Sequence, residues 1–334
     1  MRKSHLNPNG SAMLALFSAA ALPALLFWTT PPRTAFAQPL KPMIISVSSP
    51  REISAAPILM AKHLGYFKDE ALDPRFVVMS SDIAMKGLIS GDVDLVSSVS
   101  SVVKATAVGI PVKTVLNYFD GSFFYLVTRP EIVKIEQLRN KIVAISRYGS
   151  ATDFDARAAL RHFGLDPSKD VSVLAVGGGT ARIVGLVSGR VDAAILNSLE
   201  KIAAEKAGMK ALLLTGQYAK QPVGGLGTSV QRLTERRDDI RRSLKATYRT
   251  FSLIQTDRNK TKAFLIDALD VKPEHADGVY DDLIKVFLPS GKIDLKHLAA
   301  SYDDARKQAP QAAPVPLSAL VDYSLLDEIK TLPR

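Results

Sequence analysis

The sequence predicts an α/β chain of two similar lobes, each a mainly parallel sheet flanked by helices, with a cleft between them. Three observations lead there. Apolar, β-rich runs alternate with helical patterns along most of the chain, which is the signature of parallel strands joined by crossover helices. A motif recurs: GLISGDVDLVSS at 87–98 and GLVSGRVDAAILNS at 185–198 share six of their first eight residues. The length, 334 residues, suits two lobes better than a single core.

The first 37 residues differ from the rest. Arg2, Lys3 and His5 are followed by an apolar stretch from Ala12 to Trp28, then by TTPPRTAFAQ. A basic start, an apolar run and small residues at Ala35 and Ala37 predict a secretory signal peptide cleaved after Ala37. Cleavage would leave a soluble periplasmic protein. The alternative is an uncleaved anchor, for which the run is a little short.

Composition limits the function classes. The chain is 47% hydrophobic and 23% charged, ordinary globular material. It contains no cysteine, which removes disulfides, thiolate catalysis, Cys-bound metals and a lipid-modified Cys anchor. The net charge is +10; Arg2, Lys3 and Arg33 belong to the leader, which holds no Asp or Glu, so the remainder carries +7. Export and the dispersal of Lys and Arg argue against nucleic acid as a partner. The densest cluster, Glu235–Arg242, alternates in sign and reads as a solvated helix face. A pull on small anions is the better inference.

The β-rich runs are MIISVSS, FVVMS, DLVSSVS, KTVLNYF, KIVAIS, VSVLAVG, AAILN and KALLLTG. In both copies of the repeated motif a helix ends at a glycine, Gly91 or Gly189, and a buried strand follows. Glycine suits that stop because it enters the left-handed conformation without a Cβ clash. From about Leu233 the chain turns mostly helical.

Ligands of open α/β sheets sit beyond the C-terminal ends of the strands. That rule gathers loops rich in Ser, Thr, Asn and Gly, with Arg51 and Arg147 as cations. The candidate ligand contacts are Arg51, Ser98, Ser100, Tyr118, Arg147, Gly149, Ser150, Thr152 and Asn197. The most informative stretch is Ile145–Pro167, ISRYGSATDFDARAALRHFGLDP. Ser150 and Asp153 have capping-box spacing. Ala156, Ala159, Leu160 and Phe163 share the core face, and Gly164 with Pro167 ends the helix. A cap alone explains these residues. An anion site explains them too, since the first helical turn offers free N–H groups, Gly149 permits close approach and Arg147 supplies charge. Tyr118 ends a strand, where an aromatic is as often core as platform.

Catalytic patterns are missing from the sequence. The four histidines after the leader, His63, His162, His275 and His297, do not pair at ligand spacing. Gly177-Gly178-Gly179-Thr180 lacks the Lys and spacing of a nucleotide-binding loop. No cofactor and no metal are expected, and the protein is expected not to be an enzyme.

Several segments together resemble the periplasmic substrate-binding proteins of ABC importers, in the nitrate/sulfonate/taurine-type branch. They are APILMAKHLGYFKDEALDPRFV, LISGDVDLVSS, GIPVKTV, LRNKIVAISRYGSATD, GLDPSKDVSVLAVGG and SGRVDAAILNSLEKIAAEKAG, in order along nearly the whole chain after the leader. The resemblance implies the type II periplasmic binding fold: two α/β lobes, a two-strand hinge near Phe124–Thr128 and Gly225–Val230, and a ligand trapped between the lobes. It divides the chain into 1–37 (signal peptide), 38–127 (first lobe), 128–222 (second lobe) and 223–334 (return to the first lobe). It implies a monomeric receptor that delivers a small, anionic solute to a membrane permease. Two other readings stay open: a binder of a thiamine-precursor pyrimidine, and a sensor that feeds a signalling protein. The related pyrimidine synthases use a Cys-rich motif that this chain lacks. Family members usually carry Gly where Ala71 and Asn140 stand, so left-handed backbone is expected at both.

Overall fold

Ten strands form in the computed structural model, which describes residues 39–331. The expected leader and its cleavage point lie outside the described residues. The strands are β1 (Lys41–Val47), β2 (Leu72–Val78), β3 (Leu95–Val96), β4 (Val112–Gly121), β5 (Phe124–Thr128), β6 (Ile142–Ile145), β7 (Ser172–Ala175), β8 (Ala193–Asn197), β9 (Lys210–Leu214) and β10 (Lys220–Ser229). They make two five-stranded sheets of matching order, β2-β1-β3-β10-β4 and β7-β6-β8-β5-β9. In each sheet the fourth strand runs antiparallel to its neighbours, while the first three pair in parallel. This is the two-lobed α/β architecture that the alternation of runs predicts.

Helices α1 (Ala56–His63), α2 (Tyr66–Asp69), α3 (Ser81–Ser90) and α4 (Val99–Ala107) belong to the first sheet's chain segment. Helices α5 (Ala151–His162), α6 (Gly179–Val187) and α7 (Ser198–Lys206) belong to the second. After β10 come α8 (Val230–Glu235), α9 (Arg237–Thr256), α10 (Arg258–Leu269), α11 (Pro273–Val286), α12 (Ala299–Gln308) and α13 (Ser324–Thr331). The longest, α9, buries Ile240, Leu244, Thr247, Phe251 and Ile254, an apolar stripe at helical period. Among the described residues no helix is long and apolar enough to cross a membrane.

The repeated motif has a physical explanation at every shared position. Gly87 and Gly185 admit the valine that stands just before the following strand: a Cβ would lie 2.8 Å from Val93 and 3.2 Å from Val191. Gly91 and Gly189 end α3 and follow α6 with φ of +86° and +73°, where a Cβ would be strained. Asp94 and Asp192 then do the same work. The Asp94 carboxylate accepts the Ile44 N–H of β1 at 2.8 Å, and the Asp192 carboxylate accepts the Ile142 N–H of β6 at 2.9 Å. In return, the Asp94 and Asp192 N–H groups donate to Ile44 O and Ile142 O. Each aspartate thus fixes its sheet's central parallel strand to the next.

The surroundings of the two aspartates differ. Asp94 also meets Arg232 at 3.3 Å and Arg236 at 2.8 Å, whereas Asp192 has Lys141 at 3.5 Å. Arg236 further bonds Asp239 and Pro42 O, and Arg242 bonds Asp239 and Glu70 O. The cluster Glu235–Arg242 is therefore not simply a solvated face. Its Arg236, Asp239 and Arg242 form a half-buried network that ties the start of α9 to the first sheet.

The chain passes between the sheets twice. It leaves the first at Gly121 and enters the second at Phe124; it leaves the second at Leu214 and returns at Lys220. The crossings are thus Ser122–Phe123 and Thr215–Ala219, not the expected Phe124–Thr128 and Gly225–Val230: Phe124–Thr128 and Gly225–Ser229 lie inside the sheets, and Val230 opens α8. The expected divisions at 127/128 and 222/223 fall within β5 and β10. The two crossings touch backbone to backbone: a Cβ on Gly121 would sit 2.0 Å from Gly216 O, and one on Gly216 would sit 2.1 Å from Ser122 O. Ala71 and Asn140 have φ of 53° and 60°, the left-handed backbone expected there.

Asp94→Ala is predicted to cost about 3–5 kcal/mol, because it removes the buried carboxylate that Arg232 and Arg236 share, leaving them only the carboxylates of Glu235 and Asp239, and orphans the Ile44 N–H. Asp192→Ala is predicted to cost about 1–3 kcal/mol, mainly for the orphaned Ile142 N–H. Urea denaturation of both variants checks this; equal losses would refute the unequal role of the two charges.

Candidate ligand-binding site

A cavity of about 610 Å³ opens between the lobes, a size suited to a small ligand. One wall comes from the first lobe: Ser100, Ser101 and Lys104 of α4, and Ala300, Ser301, Asp303, Asp304 and Lys307 of α12. The other comes from the second lobe: Gly149, Ser150, Ala151, Asp153, Phe154, Arg157 and Arg161, at the start and along one face of α5. Gln221 of β10 joins them.

Local chemistry shapes the α5 end. Ser150 is the N-cap, with its hydroxyl accepting the Asp153 N–H, and it lies 3.0 Å from the Ser146 hydroxyl and 2.9 Å from that of Thr152. Thr152 Oγ1 accepts the Ser146 N–H at 2.9 Å. The Asp153 carboxylate accepts the Gly149 N–H at 2.9 Å and Arg157 Nε at 2.6 Å. Gly149 takes φ +74°. The N–H groups of Asp153 and Phe154 bond Ser150 O, so Ala151 and Thr152 supply the remaining first-turn donors. Across the cavity, Ser98 is the N-cap of α4, with its hydroxyl 3.0 Å from Ser101 Oγ and 3.3 Å from Ser81 Oγ. The positive ends of two helix dipoles, one per lobe, thus meet at one cavity.

The charges sort into committed and free. Lys104 pairs with Asp304 at 2.7 Å, and Arg157 with Asp153. Arg161 and Lys307 have no ion partner among the described residues, against one such carboxylate, Asp303. Among these residues the cavity thus holds two uncommitted cations against one uncommitted carboxylate.

The sequence-derived candidates divide. Ser100, Gly149 and Ser150 line the cavity. Ser98 and Thr152 stand just behind, holding the two helix ends. Arg147 is exposed and lies outside the lining. Arg51 pairs with Asp270, both well exposed, away from the cavity. Asn197 caps α7: it accepts the Glu200 N–H at 2.9 Å and its own N–H donates to Glu200, which also binds the buried Arg182 at 3.1 Å. Of the glycines at 177–179, Gly179 makes room for that pair, since a Cβ there would overlap the Glu200 carboxylate. Tyr118 is a core residue: fully buried, edge-on to Phe119 and Phe251, with a hydroxyl that has no partner and burial that drives its ionisation far above the ordinary range.

Arg157 and Arg161 escaped the sequence reading, although a signal was present. Asp153, Arg157 and Arg161 recur every four residues, on the face flanking the core face of Ala156, Ala159 and Leu160. The α12 wall had no comparable signal.

The family profile described as NMT1/THI5 like matches residues 52–257. No curated protein sequence matches the chain. Among solved structures, a periplasmic sulfonate-binding protein SsuA of a sulfonate ABC transporter from Methylobacillus flagellatus KT is similar, with TM-score 0.70 and 17% identity over 87% of this chain and 94% of that one. The periplasmic aliphatic sulphonate binding protein SsuA from Escherichia coli gives TM-score 0.61 and 14% identity over 85% and 92%. The alkanesulfonate-binding protein SsuA from Xanthomonas axonopodis pv. citri, bound to MOPS, gives 0.55 and 14% over 87% and 97%.

Because the buried Tyr118 hydroxyl bonds nothing, Tyr118→Phe is predicted to leave the melting temperature unchanged or to raise stability by about 1 kcal/mol. A lower melting temperature by calorimetry would refute the core assignment. With its profile match covering more than half the sequence, this chain belongs to the NMT1/THI5 like family and has the two-lobed fold of the periplasmic binding proteins.

Proposed function

We propose that this protein is an extracytoplasmic solute receptor of an ABC importer, and that it captures a small organic anion, a sulfonate or a carboxylate, between its lobes. One observation carries the reading: the first turns of α4 and α5, from different lobes, converge on a cavity where Arg161 and Lys307 are uncommitted. Membership in the family and the sulfonate-binding names of similar structures support it. A ligand that touches both lobes favours the closed arrangement over the open one, and only such differential contact can drive closure. The closed form would then dock, as a monomer, on a membrane permease. Export through cleavage after Ala37 would deliver it to the periplasm.

The protein acts as a binder rather than a catalyst on this reading. Without cysteine it lacks the thiols on which the related pyrimidine synthases depend. A second ligand class, a pyrimidine of the thiamine-precursor type, is favoured by the presence of an aromatic residue, Phe154, in the cavity lining, since aromatic rings stack on one another.

A thermal-shift screen of residues 38–334 against alkanesulfonates, carboxylates, nitrate, sulfate and pyrimidines tests both. A ligand at a hundredfold excess over its dissociation constant adds about 2.7 kcal/mol, a rise of several degrees. Stabilisation by sulfonates or carboxylates is expected; a response to pyrimidines alone would replace the anion reading. For the best anion, Arg161→Ala is predicted to weaken binding about tenfold by calorimetry, and unchanged affinity would remove Arg161 from the site.

A further inference from the structure

Behind the cavity wall, α5 carries a carboxylate that points the other way. Asp155 is fully buried. Its Oδ2 accepts from the Ser122 hydroxyl in the first crossing, and lies 2.7 Å from the Thr215 hydroxyl in the second. Its Oδ1 accepts from Gln221 Nε2 at 2.7 Å. One side chain on the ligand-facing helix of the second lobe therefore holds both chain crossings and a cavity residue of the first lobe. The crossings themselves meet backbone to backbone at Gly121, Ser122 and Gly216, and side chain to side chain at the Ser122 and Thr215 hydroxyls, 3.5 Å apart, both of which Asp155 engages.

We propose that Asp155 is the positioning residue for lobe closure: it locks α5 to both crossings, so that movement of the ligand-binding turn and bending of the hinge are one event. The inference rests on the receptor reading and adds the residue that transmits closure. Gln221 completes the link, because it lines the cavity and donates to Asp155.

The chemistry favours such a role over simple packing. Three donors converge on two carboxylate oxygens. Asparagine offers one acceptor oxygen where the carboxylate offers two, so keeping the Gln221 bond turns its NH₂ toward the two hydroxyls, which must then reverse from donor to acceptor. No cation is bonded to Asp155 among the described residues. Asp153 and Arg157 on the same helix pair with each other, and Asp120 pairs with Lys220 at 2.8 Å beside the crossings. Burial pushes the Asp155 carboxyl up to about 6, outweighing its three hydrogen bonds. An unpaired buried charge costs stability, which marks it as a group kept for function.

The test uses the full chain. Because the protein has no cysteine, Ile83→Cys on α3 and Val184→Cys on α6, both exposed positions, take a dye pair that reports interlobe distance by single-molecule energy transfer. Without any ligand, Asp155→Asn is expected to broaden or shift the efficiency distribution while the melting temperature stays level or rises. Thr215→Val, which keeps volume and removes the hydroxyl that bonds Asp155 and Phe124 O but leaves the Ser122 and Gln221 bonds to Asp155, should act in the same direction but less. With ethanesulfonate as the probe, Asp155→Asn should weaken binding about tenfold, an ordinary coupling strength. Identical ligand-free distributions in the parent and both variants would overturn the proposal. If the parent itself ignores ethanesulfonate, the sulfonate reading fails, while the ligand-free comparison still decides the role of Asp155.

Discussion

The chain crosses between its two sheets twice, and every other feature of the molecule depends on that constraint. Neither sheet is complete without a strand delivered by a crossing: β5 enters the second sheet antiparallel between β8 and β9, and β10 enters the first between β3 and β4. A lobe cannot come apart without breaking its sheet, yet relative motion needs only a few residues to bend. Gly121 and Gly216 set those residues backbone against backbone, where any side chain would force the crossings apart. The walls of the cavity lie on either side of this double strand of chain, so small rotations there change the distance between the α4 and α5 termini.

On the proposed reading, affinity for an anion would follow from what the cavity leaves unpaired, not from its total charge. Four cations and three carboxylates line it, which alone predicts little. The internal pairs Lys104–Asp304 and Arg157–Asp153 cancel locally and hold the walls in place. What remains is Arg161, Lys307 and Asp303, together with the N–H groups at two helix ends. Backbone donors at fixed positions need no reorganisation to receive an anion, and their dipoles act over the short range at which a trapped ligand sits.

The fold was legible because its signals are local. The motif GLxSGxVD could be read twice in the sequence, and the structure gives each of its residues a steric or hydrogen-bonding task. Left-handed backbone at Ala71 and Asn140 was equally local. The cavity lining was legible only where a helix start announces it, at Ser100, Gly149 and Ser150. Arg51 and Asn197 follow strands, as the rule for open sheets asks, but a distant Asp270 takes one and a capping box with Glu200 takes the other. Tyr118 faces the core because α9 brings Phe251 against it, a contact between residues more than a hundred positions apart. The α12 wall is hidden for the same reason: nothing in its own residues says which helix it will oppose.

Two buried aspartates show how one chain uses the same group for opposite ends. Asp94 is surrounded by Arg232 and Arg236 and by the Ile44 N–H, so its charge is matched and it fastens a strand. Asp155 has hydrogen-bond donors but no counter-charge. With its carboxyl raised to about 6, the folded chain holds that proton more tightly than the unfolded chain does. The stability contributed by the protonated form is fully present below the ordinary carboxylate range and is lost as pH rises through about 6. At neutral pH the folded protein therefore carries an ionised group that opposes folding. A carboxylate held at such a cost beside both crossings leaves the hinge less stable than an apolar one of equal volume would be. That is the condition under which the binding energy of a small ligand can decide between an open and a closed arrangement.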